Sequence, residues 1–456
     1  MAVAVAMAAV RRIEKRRSRC VITPSLAEAF RGDGAENAWR GRWFPSFLYP
    51  WVYQFGAALI TLVCHCVVRF IHGTLALNTP APLRITPVTK KSGLGPFLKV
   101  PGAILGSDPA WVSPLLLERR LHLGAKTNPW FQHARWMGWV AYRGDTPVGR
   151  ISAQIDYLHL ERYEDATGFF GMLDAEDNAE TFGALFEAAE GWLRQEGIKR
   201  VRGPLSLSIN DEVGLLVDGF DTPPVFMMGH AKPYYGKHIE RHGFTKAKDM
   251  LAYMIAPDFP APKVMDRLLR SSKQPVRVRP LDASRYDEEL ATLREIFNDA
   301  WADNWGFVPF TEAEFKDLGH SLKLLIAPEL IQIAEVDGKP AAFIAALPNV
   351  NEVIRDFDGK LLPFNWVKLL WGLKKRFPKS SRVPLMGVRR AFHNTPLGPG
   401  LAFLVIDAVR HHLVARGVEQ VELSWILEDN EGMRNIVETI GGRDYKRYRV
   451  YEKTLP

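Results

Sequence analysis

Two stretches of this sequence return later in the same order, and that repeat limits the folds open to the chain. LRITPV at 83–88 resembles VRVRPL at 276–281, which aligns Pro87 with Pro280. VAYRGDTPVGRISAQI at 140–155 resembles IAEVDGKPAAFIAAL at 333–347, which aligns Pro147 with Pro340. Both pairs stand 193 positions apart, 87 against 280 and 147 against 340. A third pair follows: YYGKHIERHGF stops at Gly243 as ELSWILEDNEGMRNIVETIGG, 422–442, stops near Gly441, an offset of 198. Three features in one order at nearly one spacing predict a duplicated unit, and overlooking such a repeat would misassign the whole fold.

The local pattern says what the unit contains. Val421, Leu423, Trp425 and Leu427 fall at period two and predict a strand; Met433, Ile436, Val437 and Ile440 then recur at helical spacing. Asn430 suits the helix N-cap, because its side chain can accept a bond from an unpaired backbone N–H, and Gly441 suits the left-handed stop. Each half reads as a short strand, helices, a hairpin, a strand, a long helix, a strand, a helix and terminal strands. The long helices are AETFGALFEAAEGWLRQEG and LGPGLAFLVIDAVRHHLVARG, the latter with Leu401, Leu404, Val405, Ala408 and Leu413 on one side. A proline-rich linker runs from Ala256 to Pro275, and the boundaries are set at 1–82 for an N-terminal extension, 83–260 for one α/β domain and 261–456 for the other.

The extension has its own character. Of the net charge of +8, residues 1–42 supply +5, with nine Lys or Arg against four Asp or Glu. The run Trp51–Val68 holds 18 residues and no Asp, Glu, Lys or Arg, near the lower limit for a spanning helix. A basic leader before an apolar run suits an anionic membrane surface. A true span would export everything after it, since basic residues hold the N-terminus in the cytoplasm. The expectation is therefore a helix lying in the interface and a protein at the cytoplasmic face of the inner membrane. A helix packed on the body, or an upstream extension that the native start codon omits, are the other readings. Cys20, Cys64 and Cys66 are the only cysteines, so the body offers no thiol nucleophile, disulfide or cysteine-ligated zinc, and no metal is expected. No helix-turn-helix, zinc or RNA-binding signature points to nucleic acid. Nothing in the sequence sets the oligomeric state.

Two loops concentrate reactive side chains. The insertion 210–235, NDEVGLLVDGFDTPPVFMMGHAKPYY, holds Asn210, Asp211, Glu212, His230, Tyr234 and Tyr235, and a long connection in a compact domain is often functional. Carboxylate, imidazole and phenol side chains gathered in one loop can exchange protons with a bound molecule. Glu212 or His230 is the candidate base and Tyr234 or Tyr235 the candidate acid, with turn formation and packing as the plainer account of the same residues. The second loop, FNDAWADNWGFVPF at 297–310, offers Trp301, Asn304, Trp305 and Phe307 to a long apolar ligand with a polar head, or plugs the core. Near the second long helix, TPLGPGLA supplies Gly398 and Gly400 where backbone N–H groups could approach a phosphate, although Pro399 removes one donor. Arg389 and Arg390 precede it as a source of positive charge. In the first half LDAEDNAETFGAL puts acidic residues at the equivalent place, so no phosphate is expected there.

This order of elements resembles the GNAT fold of acyl-CoA N-acyltransferases, and the doubling is similar to the tandem GNAT halves of FemABX-type transferases. GNAT proteins commonly carry Asn, an apolar residue three on, an apolar pair and a helix-ending Gly; Asn430, Met433, Ile436, Val437 and Gly441 occupy those places. The family tyrosine falls at Val437, and Thr395 stands where the phosphate loop usually has Gln or Arg. The two loops and ELSWILEDN also resemble a bacterial GNAT-like group that includes the bacterial ceramide synthases, over about Leu83–Pro456. The resemblance implies two tandem GNAT-like α/β domains, acyl-CoA as cosubstrate bound by the C-terminal half with no permanently bound cofactor, and transfer of a long acyl chain to the amine of a sphingoid base or similar lipid. The strand end and the Asn430 turn are then expected to wall the cleft where the cosubstrate lies, with Glu428 facing it as a catalytic candidate beside Glu212, His230 and Tyr235, or simply capping the helix. Small-molecule N-acetylation, aminoacyl-tRNA-dependent transfer and lipid binding without turnover remain the alternatives.

Overall fold

The structure, a computed structural model, describes residues 81–89, 92–260, 262–263 and 275–456. The expected membrane-attachment run 51–68 and the basic leader lie outside the described residues, as does most of the expected linker. Residues Leu83–Pro456 fall within one compact unit.

The first half supplies β1 (Leu83–Pro87), β2 (Ala134–Arg143), β3 (Thr146–Asp156), β4 (Thr167–Ala175), β5 (Arg200–Gly203), three short strands β6 (Leu205–Ser206), β7 (Glu212–Val213) and β8 (Leu215–Asp218), and β9 (Thr245–Ile255). The second supplies β10 (Val276–Pro280), β11 (Ile331–Val336), β12 (Lys339–Pro348), β13 (Ser380–Val388), β14 (Gln420–Leu427) and β15 (Arg443–Thr454). One mixed sheet runs β1-β2-β3-β4-β5-β15-β9-β14-β13-β12-β11-β10. The repeat is visible in it: Pro87 and Pro280 each close an edge strand, and both aligned hairpins form as β2–β3 and β11–β12.

The halves exchange their last strands. β15 of the second half pairs with β5 of the first, and β9 of the first pairs with β14 of the second. At the β9–β15 seam Arg449 donates to both oxygens of Asp249, at 2.8 and 3.0 Å, and Asp249 is buried. Burial alone would raise that carboxyl, but Arg449 and Lys246 hold it below its usual range. Such a fork-on-fork contact fixes register as well as charge.

Each long helix covers one half of the sheet. Phe182, Leu185, Phe186, Ala189 and Leu193 of the Ala179–Gln195 helix join the first core, and Leu401, Val405, Val409 and Leu413 of the Leu397–Ala415 helix join the second. Spacings of three and four place these residues on one stripe, and each fully buried large aliphatic or aromatic side chain stabilises by about 1.5–3 kcal/mol.

Two parallel pairs interrupt the otherwise antiparallel sheet, β4–β5 and β13–β14. β13 and β14 stay paired only from Ser380 and Gln420 to Val383 and Leu423; beyond that point β13 follows β12 and β14 follows β9. The strands splay apart and a wedge opens. In the first half the same wedge is filled. The Gln154 amide donates to the Leu205 carbonyl at 2.6 Å, and a Cβ on Gly171 would sit 1.7 Å from that oxygen. Glycine is required there because the Leu205 backbone occupies the opening.

Candidate active site

The open wedge of the second half is a cleft of about 820 Å³. Val383 and Leu423 close its apex, Gly398 and Pro399 bring the start of the Leu397–Ala415 helix to it, and Met433 and Ile436 bring the following helix. Asn430 caps that helix as the sequence predicts, accepting from Met433 N at 3.1 Å, and lines the cleft. The two long helices begin differently. Asn178 caps the first, accepting from the N–H groups of Glu180 and Thr181, whereas no side chain caps the second. The uncapped end, with its partial positive charge, lies at the open wedge.

The expected aromatic loop forms the opposite rim. Trp301, Asn304 and Trp305 line the cleft, with the Trp301 indole held by the Met386 carbonyl at 2.9 Å. Phe307 is buried in the core instead, packed against Phe297. The two loops singled out in the sequence meet: Asn210 donates to the Val308 carbonyl at 3.0 Å.

A second space, of about 230 Å³, lies under the insertion. Leu98, Leu115, Leu216, Phe226, Met228 and Ile354 give it apolar walls around a cluster of polar side chains. Glu212 pairs with Arg119, and His122 lies 3.7 Å from Asp211. Burial works against the Glu212 anion, but the Arg119 guanidinium prevails and holds it below the usual carboxylate range; burial pushes neighbouring Asp211 up. Two adjacent carboxyls driven apart by their surroundings suit acid and base work.

His230 also lines this cavity. Burial works against the charge of Asp108, but Ala110 N–H, His230 and Lys232 hold it down to about 2. Asp108 therefore accepts from His230 Nε2, at 3.2 Å, which makes Nδ1 the lone-pair nitrogen. That Nδ1 is buried and meets no partner among the described residues. Burial lowers the imidazole below its ordinary value despite Asp108, so the ring stays neutral and able to take a proton.

A polar wall separates cleft from cavity. Arg382, 1% exposed, donates to Ser424 Oγ at 2.9 Å and to the carbonyls of Phe226 and Met227 at 3.2 Å; Glu422, fully buried, lies 3.7 Å from it and accepts from Tyr445. Burial raises the Glu422 carboxyl in spite of Arg382, and burial drives the Tyr445 hydroxyl far up. Phe226 and Met227 face the cavity, Ser424 and Trp425 the cleft. The indole N–H of Trp425 is buried without an acceptor among the described residues.

Several expected residues reach neither space. The Tyr235 hydroxyl is buried on the Ala175 amide at 3.2 Å and Tyr234 donates to the Ala175 carbonyl at 2.7 Å, so both pin a helix to β4. Burial pushes both phenols up, Tyr234 to about 12. Glu428 accepts from Asp249 N and Lys246 and joins β14 to β9. Arg389 binds the Pro340 carbonyl and Arg390 binds Asp299 and Asp303, so neither lines the cleft. Gly398 lines it, but a Cβ there would lie 2.3 Å from the Phe392 carbonyl, so packing already demands that glycine; Gly400 is buried in the helix. Arg119, His122, Arg382, Glu422 and Ser424 were not singled out in the sequence. Glu118 and His122, four apart in LLERRLH, were the available sign for the first group.

Comparison with known proteins gives two close relatives. Protein YghO of Escherichia coli (strain K12) is 48% identical over 366 residues, 80% of this chain and 94% of that protein. A protein named bacterial ceramide synthase, from Caulobacter vibrioides (strain NA1000 / CB15N), is 47% identical over 380 residues, 83% of this chain and 99% of that protein. No family model matches the chain. Among solved structures, a tandem GNAT protein from the clavulanic acid biosynthesis pathway aligns over 82% of this chain and 98% of its own, at 12% identity and a TM-score of 0.48. With nearly half of the aligned residues identical across almost the full length of both relatives, the chain belongs to the family of the Caulobacter bacterial ceramide synthase and Escherichia coli YghO.

Proposed function

We propose that this protein is an N-acyltransferase that moves a long-chain acyl group from acyl-CoA to the amine of a sphingoid base or a similar lipid amine, at the cytoplasmic face of the membrane. The observation that carries the proposal is the pair of spaces either side of one wall: an open wedge at an uncapped helix N-terminus, and an apolar cavity with a buried polar group. The name of the Caulobacter relative supports the lipid acceptor.

In this reading the cosubstrate lies in the cleft with its thioester toward Ser424 and Trp425, and the amine comes from the cavity side. The amine nitrogen attacks the thioester carbon, the C–S bond breaks, and the products are the amide and the CoA thiol. Glu212 and Asp211 hold the arriving ammonium, His230 Nδ1 takes its proton, and the Trp425 N–H supplies the hydrogen bond that the carbonyl oxygen gains as it becomes negative. Tyr445 and Glu422 keep the wall polar and hold a proton between them.

The test is CoA thiol released by the purified protein from palmitoyl-CoA, with and without a sphingoid amine, with the product identified by mass spectrometry. Amine-dependent release with an amide product is expected. No release with any chain length or amine would overturn the reading.

A further inference from the structure

The residues 359–379, GKLLPFNWVKLLWGLKKRFPK, hold six Lys or Arg and no Asp or Glu. They form the Asn365–Trp371 helix and its continuation Gly372–Arg376. Spacing divides the segment. Leu361, Leu369 and Leu373 turn inward into an apolar cluster, whereas Phe364, Val367 and Trp371 turn outward with exposures of 75, 48 and 55%. Positions 364, 367 and 371 share one face of a helix, and Lys368 falls on it too. Lys374, Lys375 and Arg376 follow at its end, all exposed, with the Arg376 guanidinium 5.5 Å from the Trp371 ring centroid.

Exposed large apolar side chains are rare at this density on a soluble face and mark a surface that is covered by something. An aromatic and aliphatic face flanked by lysines, in a segment that itself holds no carboxylate, matches the border of an anionic bilayer: the rings sit at headgroup depth and the ammonium groups meet lipid phosphates. We infer that residues 359–379 are a docking surface for an anionic lipid bilayer.

The placement adds a consequence. Leu361, Leu369 and Leu373 share their cluster with Val350 and Ile354, which line the cavity that holds Glu212 and His230. Docking would set that cavity one apolar layer from the membrane. This consequence rests on the transferase reading; the docking surface does not, and vesicle binding reads it without turnover.

The experiment uses the full chain with Cys20, Cys64 and Cys66 replaced by Ser and a single Val367→Cys carrying an environment-sensitive fluorophore. Vesicles of phosphatidylcholine with phosphatidylglycerol are expected to shift its emission to the blue and raise its intensity about threefold, with little change on pure phosphatidylcholine. A label at Lys339→Cys, at the other end of β12 from Val350, should stay unchanged. Lys374→Glu/Lys375→Glu/Arg376→Glu should abolish the shift while circular dichroism and thermal midpoint stay as in the parent. Three outcomes overturn the inference: vesicles that bind with no change at position 367, which assigns binding to another segment; no vesicle binding; or a label already shielded before vesicles are added, which assigns the face to the chain itself or to a second copy.

Discussion

The Ser424 hydroxyl lies 3.5 Å from the Met228 sulfur, so where these two side chains meet the cleft and the cavity are a single contact apart. The serine, buried, comes from beside the apex of the wedge in the second half and the methionine from an insertion in the first. Strand exchange makes this meeting possible, because β9 and β15 lock the halves side by side and β8 of the insertion pairs with β15.

Met228→Ala removes the larger member of that contact. Truncating a buried methionine destabilises by about 2–5 kcal/mol, measurable in urea. It also opens a path for water toward the thioester. Hydrolysis of palmitoyl-CoA in the absence of amine is expected to rise relative to amide formation, and an unchanged ratio would mean that the wall does not separate the two spaces.

His230→Asn keeps a polar group but removes the free Nδ1. Amide formation is expected to fall about 100- to 10,000-fold, the usual reach of a general base, with acyl-CoA affinity nearly unchanged. The pH profile carries the second check. Burial depresses the imidazole below the ordinary value of 6.5, so the wild-type rate should hold as pH falls to 6.5 and drop only below it. In His230→Asn that acid limb should vanish.

Trp425→Phe preserves the ring beside Arg382 and deletes the unpartnered N–H. If that donor meets the developing oxyanion, kcat falls about 100- to 1,000-fold, while acyl-CoA Kd stays put. A loss confined to affinity would place the indole in ground-state binding instead.

Much of the fold was legible because it depends on short-range pattern. Hairpins, the Asn430 cap and the Gly441 stop follow from neighbours a few residues apart, the repeat follows from matching such short patterns 193 positions apart, and the structure shows them in place. The strand exchange left no such mark: β9 and β15 read as terminal strands whichever half they join. The wall was hidden for a related reason. Glu422 and Ser424 read as polar residues on a half-exposed strand, yet β14 is central and both are buried, which only tertiary packing decides. Tyr235 and Glu428 misled in the opposite direction, since reactive side chains near a functional loop also make ordinary backbone contacts.

Arg382 and Glu422 form a buried pair, and removing one member leaves the other without a counter-charge. Arg382→Met is expected to cost about 3–5 kcal/mol of stability, read by urea unfolding. Arg382→Met/Glu422→Gln should regain part of that loss, because the second change removes the stranded carboxyl. A double variant no more stable than the single one would show that Arg382 acts through the Phe226, Met227 and Ser424 carbonyls alone.

A pH dependence of stability follows from His133, which joins the halves at another point. Asp156 of the first half lies 3.1 Å from Nδ1 and Glu314 of the second lies 3.3 Å from Nε2. Burial opposes charge on the ring, but the two carboxylates outweigh it and raise the imidazole from 6.5 to about 10. A raised cation binds its proton more tightly in the folded chain than in the unfolded one. Its contribution is therefore complete below about 6.5, declines as pH rises through that value, and is gone above about 10. Urea midpoints for the parent and for His133→Gln should thus be farthest apart near pH 6 and converge toward pH 10. A constant difference over that range would show that the ring is neutral in the folded protein and that the contact with Glu314 is no ion pair.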